Sequence, residues 1–170
     1  TVGFNSVVLT DFSLLTLVVY IFLMWVGGAS QSTAGGVKVN AFAVAWANFI
    51  SVVRRRSNVV LFNRELAGDS VRRASAVVFG SIIAIIIFFS LLVAIEPAIT
   101  PLGLFFETVS ALGTVGSSLN VTSQLCDESK VLLALLMFTG RVGLITFMTS
   151  IMKPSGCLRY RLPKDNIIIN

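Results

Sequence analysis

The sequence contains no histidine and only two cysteines, Cys126 and Cys157, among 170 residues. The missing histidine excludes Ser-His and Cys-His catalytic pairs and every histidine-ligated metal site. Two cysteines are too few for a disulfide framework or a zinc site. No two acidic residues share an apolar segment, and the chain has no Walker or Rossmann glycine motif. We therefore predict that the protein is not an enzyme and holds no organic cofactor.

Charged residues are also scarce, at 12% of the chain, whereas soluble domains carry about 25%. Hydrophobic residues make up 55% of the sequence, and the mean hydropathy is +0.90. The alternation of a wet and a dry face in a soluble fold cannot accommodate so many apolar residues. The composition therefore predicts a membrane protein, and its long apolar stretches predict an all-α fold.

The net charge of +5 is unevenly distributed along the chain. Basic residues concentrate in residues 54–73 and 153–164, whereas residues 96–130 carry four acids and one base. By the positive-inside rule, the two basic stretches are cytoplasmic and the acidic stretch lies on the outer face. Because membrane topology accounts for the arginines, we predict no nucleic-acid partner.

The first apolar stretch is interrupted. Leu14–Val26 is almost wholly apolar, but its 13 residues are fewer than the roughly 20 that cross a bilayer. Residues 27–36 are small, polar and rich in glycine, and apolar character returns over residues 41–53. Together these residues predict one membrane span with a broken middle.

Two longer apolar stretches flank a short one. Residues 74–95 contain no charge and predict a transmembrane helix. Residues 98–112 are too short to cross and must begin and end on the outer face. They predict a re-entrant helix that is buried in protein or lines a water-filled cavity. Residues 131–152 predict a second full span, with Arg141 as the one charge near its middle.

The chain repeats itself at an offset of 113 residues. The tripeptide TVG at residues 1–3 falls on TVG at residues 114–116, and Gly27 falls on Gly140 without a gap. The apolar stretches between these points largely superimpose. We interpret this pattern as a duplicated unit made of a re-entrant helix, a TVG loop and an inner helix.

A TVG loop directly after a short helix suits cation binding. Rings of backbone carbonyls can replace the water around a dehydrated cation, and glycine permits the backbone angles that aim them at one axis. The partly negative C-terminal end of the short helix favours a cation as well. The alternative is that both loops are ordinary turns at helix ends.

Five stretches of the sequence are distinctive: TVGFNS at 1–6, FLMWVGGASQSTAGGVK at 22–38, VVLFNREL at 59–66, FFETVSALGTVGSS at 105–118 and LLMFTGRVGLITF at 135–147. With them the chain resembles the Trk/Ktr/HKT potassium transporter superfamily, most of all the membrane subunits of Ktr systems. The resemblance covers essentially the whole chain. It implies four helix–pore-loop–helix repeats around one pseudo-fourfold pore.

The resemblance also implies a division of the chain and its site residues. It makes 1–53 the end of the third repeat, 54–73 a cytoplasmic linker, 74–152 the fourth repeat and 153–170 a cytoplasmic tail. The implied selectivity filter for K⁺ comprises Thr1, Val2, Gly3, Phe4, Thr114, Val115, Gly116 and Ser117. The implied gate comprises Gly27, Gly28, Ala29, Ser30, Gln31, Ser32, Thr33, Ala34, Gly35, Gly36 and Arg141. Residues 29–31 depart from the Ser-Pro-Gly that the family often shows there, which puts the exact conformation of this loop in doubt.

The gate also follows from elementary chemistry, with alternatives. A glycine-rich break at mid-membrane changes shape at low cost, although a kinked helix packed tightly on a neighbour would look the same. Arg141 at a helix centre costs at least about 2.5 kcal/mol. The repeat puts it opposite Gly28, where it would repel K⁺ and donate to loop carbonyls; the alternative is a structural arginine away from the pore. We expect Glu107 to anchor the short helix through bonds to nearby backbone.

These observations predict the pore-forming subunit of a potassium uptake transporter in the plasma membrane. The transported ion is K⁺, and Na⁺ is a candidate coupling or activating ion. A simple potassium channel is one alternative, although it would need neither the glycine-rich loop nor Arg141; a non-transporting scaffold or assembly subunit is another. The expected partners are membrane lipid, a second copy of the protein and, from the resemblance, a cytoplasmic nucleotide-binding regulatory ring. The abrupt start at a TVG loop suggests a piece of a longer protein.

Overall fold

The computed structural model describes residues 3–5, 7, 9–32, 34–54, 59–61 and 64–143. Within them the chain forms five α-helices: α1 (Leu14–Val26), α2 (Val39–Val53), α3 (Gly68–Ile95), α4 (Pro101–Leu112) and α5 (Asp127–Val142). Short 3₁₀ turns at Leu9–Asp11 and Thr122–Gln124 precede α1 and α5. The expected all-helical fold is confirmed apart from one antiparallel pair of two-residue strands, β1 (Val60–Leu61) and β2 (Arg64–Glu65).

The predicted ends of α1 and α4 have local causes. Ser13 caps α1 by accepting from the Thr16 amide, and Gly27 ends it with φ 72° and an N–H that donates to Leu23 at 3.0 Å. Helix α1 therefore has the predicted bounds. Helix α4 begins three residues later than predicted because Pro101 suits the first helical position and keeps Thr100 extended.

Helix α3 is six residues longer at its start than the predicted segment 74–95. Arg72 and Arg73 lie inside the helix, so the predicted linker 54–73 ends at residue 67. Arginine and alanine are good helix formers, and Asp69 in the first turn complements the helix dipole. In the described part of the chain, α3 is the one helix that is long and apolar enough to cross a membrane.

Helix α5 is shifted relative to the predicted span 131–152. It begins four residues earlier, with Asp127 in its first turn, and ends at Val142. Gly143 stops it by adopting φ 92° and donating its N–H to Thr139 at 3.1 Å. Arg141 therefore lies in the last turn of α5, and because residues 144–152 lie outside the described residues, its place near the middle of a span stays a prediction.

The internal repeat extends to local structure. The two 3₁₀ turns begin at Leu9 and Thr122, and the helices that follow begin at Leu14 and Asp127. Both pairs are separated by the same 113 residues as the TVG tripeptides. The 3₁₀ turn and the start of the following helix therefore recur at equivalent positions in both copies, whereas α5 continues past Gly140, the equivalent of the Gly27 that ends α1.

Helix α4 lies at the centre of the packing. Nine of its 12 residues are buried, because α1, α3 and α5 all pack against it. Its Phe106 stacks on Tyr20 of α1 with ring centroids 5.9 Å apart. In contrast, α3 exposes large apolar side chains, including Phe79, Ile83 and Ile86. An apolar exterior around a short buried helix suits a membrane setting.

Glu96 links the end of α3 to the start of α5. Its Oε1 accepts from the Cys126 amide at 2.6 Å and from Ser129 Oγ at 3.1 Å. The hydrogen bond from the Cys126 amide, supported by Ser129 and Lys130, lowers the pKa of Glu96 below its ordinary value of 4.5. The carboxylate also faces the positive end of the α5 dipole.

We expect Glu96→Gln to lower the melting temperature in detergent by a few degrees at pH 7. A folded-state pKa below the unfolded one adds stability above about pH 4.5 and loses it as the pH falls through the lowered value. The native protein should therefore lose stability in that window, while the variant loses less. Glu128→Gln, an exposed acid in the first turn of α5, is the control. An equal effect of both substitutions would contradict this role of Glu96.

Candidate ion-binding site

The two TVG loops meet at their glycines. Gly3 and Gly116 both have left-handed backbones, with φ +74° and +83°. A Cβ atom on Gly3 would lie 2.8 Å from the carbonyl carbon and oxygen of Gly116 and 2.9 Å from the carbonyl oxygen of Val115. The two loops are thus in backbone contact, with carbonyl oxygens of the second loop against the first. Thr1 and Val2 lie outside the described residues.

Backbone and side-chain bonds hold the second TVG loop on the end of α4. The Thr114 amide donates to Ala111 at 3.0 Å and the Val115 amide to Ser110 at 2.9 Å. The Val115 side chain is buried in the hydrophobic core. In the described ranges, no group of three or more His, Cys, Asp or Glu side chains could hold a metal ion. The oxygens available at this place are those of the backbone and of hydroxyls.

Ser117, which the sequence places in the filter, is buried and hydrogen-bonded. Its side chain is 2% exposed, its hydroxyl pairs with Tyr20 Oη at 2.9 Å, and its carbonyl accepts from Ser110 Oγ at 2.7 Å. These two bonds tie Ser117 to α1 and α4, and its part in the filter stays a prediction. Phe4 lies on the other loop with a fully exposed side chain.

Glu107 anchors α4, but not through the backbone bonds that we predicted. The carboxylate is 6% exposed and accepts from the hydroxyls of Ser118 and Thr122. The chain returns along α4 after the TVG loop, which brings these two hydroxyls within reach. Glu107 therefore links α4 to the segment that follows the second TVG loop, and these bonds restrict the movement of that loop.

The glycine-rich loop divides into two halves. Ala29, Ser30, Gln31 and Ser32 are exposed. Residues 34–37 lie against the end of α4: Ala34 is 4% and Val37 1% exposed, and the Gly35 amide donates to Thr114 Oγ1 at 2.8 Å. The tight packing that we considered as an alternative to a gate thus describes the second half, while the first half is exposed and is held by the bond from Lys38 Nζ to the Ser30 carbonyl at 3.4 Å. Thr33 lies outside the described residues.

A half-open cavity of about 260 Å³ separates the second TVG loop from the start of the glycine-rich loop. Its lining residues are Tyr20, Leu23, Met24, Gly27, Gly28 and Val115. Since a water molecule occupies about 30 Å³ of liquid, the cavity has room for a cation with several waters. It therefore joins the two features that the sequence predicts to be filter and gate.

Arg141 directly follows Gly140, whose backbone lies close to the glycine-rich loop. The Arg141 side chain itself forms no hydrogen bond with that loop in the part of the chain that the structure describes. The preceding residue, Gly140, has its carbonyl oxygen 3.1 Å from the position of a Cβ on Gly35. The Arg141 side chain is exposed, and it donates to no loop carbonyl within the described residues. The expected hydrogen bonds to loop carbonyls are therefore not formed among the described residues, and the gating role of Arg141 stays a prediction.

The family model for cation transport proteins named TrkH matches residues 1–159. The chain belongs to the TrkH family. One similar protein is Ktr system potassium uptake protein B of Vibrio alginolyticus, which is 36% identical to this chain. The match covers 99% of this chain and 36% of the length of the relative. The Bacillus subtilis protein of the same name is 34% identical over 90% of this chain and 34% of its own length.

A third relative, the potassium/sodium uptake protein NtpJ of Enterococcus hirae, is 28% identical over 99% of this chain and 39% of its own length. The chain thus spans between a third and two fifths of the length of these TrkH-family relatives. Its family is one of cation transport proteins and not a class of enzymes, and the apolar helix α3 agrees with a place in a membrane.

Sequence reasoning missed three contributors to the site. Tyr20 and Ser110, which hold Ser117, lie inside apolar helices where nothing marked them as polar contacts. Gly140 was used only to align the repeat, although a Cβ there would overlap the Leu112 carbonyl oxygen. The available signal was the pair of small residues Gly113 and Gly140, which lets the backbones at the ends of α4 and α5 approach closely.

Proposed function

We propose that this chain forms part of the ion pathway of a potassium uptake transporter. The observation that carries the proposal is the contact of two glycine-tipped loops, Gly3 to Gly116, one of them at the C-terminal end of the short buried helix α4. The similar proteins from Vibrio alginolyticus and Bacillus subtilis are named as potassium uptake proteins, which agrees with the proposal. Each loop would contribute backbone oxygens of Thr, Val and Gly to one K⁺ site within a pseudo-fourfold pore.

Below these loops, the cavity beside Val115 would hold the ion before it meets the glycine-rich loop. The exposed residues Ala29, Ser30, Gln31 and Ser32 would form the movable barrier, because they are not buried against the rest of the described structure as residues 34 and 35 are. Helix α4 would be re-entrant, with residues 54–67 and the C-terminal tail on the cytoplasmic side. The buried half of the loop, residues 34–37, serves as the anchor of that barrier.

Two features favour transport over the alternatives. A scaffold would have no need of two left-handed glycines in contact, which cost conformational freedom on folding. A simple channel would have no need of a glycine-rich loop across its exit. The relative named for potassium and sodium supports Na⁺ as a coupling or activating ion. The relatives named as part of Ktr systems support a regulatory subunit, for which we propose a cytoplasmic nucleotide-binding ring on a homodimer.

The test is ion uptake by the purified protein in its complete native form, reconstituted into liposomes. We expect potassium uptake above that of empty liposomes, measured with a potassium-selective electrode, and slower uptake of sodium. Replacing external Na⁺ by choline tests sodium coupling. A folded, reconstituted protein that moves no potassium, with or without its regulatory partner, would contradict transport and favour the scaffold.

We expect Arg141→Gln to raise potassium uptake several-fold. The side chain is exposed one residue from the contact with the glycine-rich loop, so its removal takes a repelling charge from the path of the ion. Arg141→Lys should keep the native rate because it keeps the charge. Arg72→Gln, an exposed arginine on α3, removes the same charge elsewhere and is the matched control. Equal rates in Arg141→Gln and the native protein would show that the arginine has no gating role.

A further inference from the structure

One hydrogen bond joins the glycine-rich loop to the second TVG loop. The amide of Gly35 donates to the Oγ1 atom of Thr114 at 2.8 Å across 79 residues of sequence. Gly35 is buried, and a buried amide that loses its acceptor pays the full cost of desolvation. The bond is therefore important for keeping residues 34–37 in place.

The atoms around this hydrogen bond are closely packed. A Cβ on Gly35 would lie 2.7 Å from Thr114 Oγ1, 2.8 Å from its Cγ2 and 3.1 Å from the Gly140 carbonyl oxygen. Thr114 itself has φ +50°, a left-handed conformation that is rare for a β-branched residue. A threonine in such a conformation persists only where its surroundings determine it, and the Gly35 backbone is one of those surroundings.

A second bond holds the same TVG loop from the other end. Tyr20 on α1 pairs with Ser117 at 2.9 Å, and α1 leads directly into the glycine-rich loop at Gly27. The segment from α1 to Gly35 thus holds the second TVG loop at Thr114 and at Ser117, on either side of Val115 and Gly116. A movement of residues 34–37 must either break the bond to Thr114 or displace the TVG loop.

We propose that Thr114 is a positioning residue that fixes the buried half of the glycine-rich loop to the base of the second TVG loop, so that the two move together. Its hydroxyl oxygen then has a structural task besides the ligand role expected from the sequence. Opening of the barrier is limited to residues 28–32 unless the Gly35–Thr114 hydrogen bond breaks. The consequence for transport rests on the proposed function, whereas the bond and its effect on loop motion do not.

The experiment is hydrogen exchange of the backbone amides of residues 34–37, measured by mass spectrometry on the complete protein in lipid nanodiscs. Thr114→Val keeps the shape of the side chain and removes the acceptor, so we expect these amides to exchange about tenfold faster. Thr114→Ser keeps the acceptor, so we expect exchange within about twofold of the native rate. Equal exchange in the valine and serine variants, or native exchange in the valine variant, overturns the proposal.

A second variant covers a Thr114→Val protein that fails to fold. Gly35→Ala inserts a Cβ against the Thr114 side chain and separates the same pair, so amide exchange at residues 36 and 37 should also become faster. Gly80→Ala is the control, because the space around its Cβ is open, and it should leave the exchange at residues 36 and 37 at the native rate. A Gly35→Ala protein with native exchange overturns the proposal. Potassium uptake by the native protein is measured in parallel: its absence refutes the proposed function, while the exchange rates still decide whether Thr114 fixes the loop.

Discussion

Gly3→Ala is expected to reduce potassium uptake by more than about tenfold, and more than Gly116→Ala does. Both glycines have left-handed backbones, which cost an alanine roughly 1–2 kcal/mol. At Gly3 the added Cβ would also lie within 2.9 Å of three backbone atoms of residues 115 and 116. At Gly116 its nearest neighbour would be the Gly3 Cα at 3.9 Å, an ordinary contact. Strain and overlap act together at Gly3, whereas strain acts alone at Gly116.

The measurement is uptake of potassium and sodium by reconstituted protein, with melting temperatures of all variants recorded alongside. Gly80→Ala is the control, because a Cβ there meets nothing within 4 Å. Since the backbone of both loops would supply the ligands, Gly3→Ala should also narrow the preference for potassium over sodium. Native uptake and selectivity in Gly3→Ala would refute the contact between the two loops as part of the ion pathway.

Gly140→Ala is expected to destabilise the fold by about 3 kcal/mol or more. The α5 backbone at Gly140 approaches the end of α4 so closely that a Cβ would overlap the Leu112 carbonyl oxygen and lie 3.0 Å from its carbonyl carbon. Backbone atoms cannot turn aside as a flexible side chain can. Relief requires α4 and α5 to separate, which also disturbs the Gly35 and Thr114 contacts next to them.

Gly80→Ala on α3 provides the opposite expectation for the same chemical change. Alanine is favoured over glycine in a helix by up to about 1 kcal/mol, and the space at Gly80 is open. Its melting temperature in detergent should therefore equal or exceed the native one, while that of Gly140→Ala falls and the yield of folded protein drops. A Gly140→Ala protein that melts at the native temperature would contradict the close approach of α4 and α5.

The agreement between sequence and structure is best where a local signal marks an element. Ser13 and Gly27 delimit α1 at its predicted bounds, because helix caps act within a few residues. The apolar pattern alone started α4 at residue 98, whereas Pro101 sets its actual start. Helix α5 was misjudged because apolar content alone was used, which overlooked Asp127 as a helix start and Gly143 as a stop. The segment predicted for α3 was also too short, because apolar content excluded Arg72 and Arg73, although charged residues do not end a helix.

At the candidate site, too, the sequence predicted some features and not others. The TVG tripeptides were found from the repeat, and their glycines proved to lie together; their role as ion ligands stays a prediction. The division of the glycine-rich loop into a packed and an exposed half was not foreseeable. It depends on Thr114, which is 79 residues from Gly35 and lies in the other copy of the repeat.

By itself, the sequence determined that this is a helical TrkH-family protein with two glycine-tipped loops, because apolar length, helix caps and an internal repeat act over short distances or as patterns. The tertiary structure decided which polar groups are already engaged. Ser117 is held by Tyr20 and Ser110, Glu107 is bound to hydroxyls, and Gly35 is bonded to Thr114. These pairings depend on how separate helices pack around α4, and no local pattern in the chain encodes that geometry.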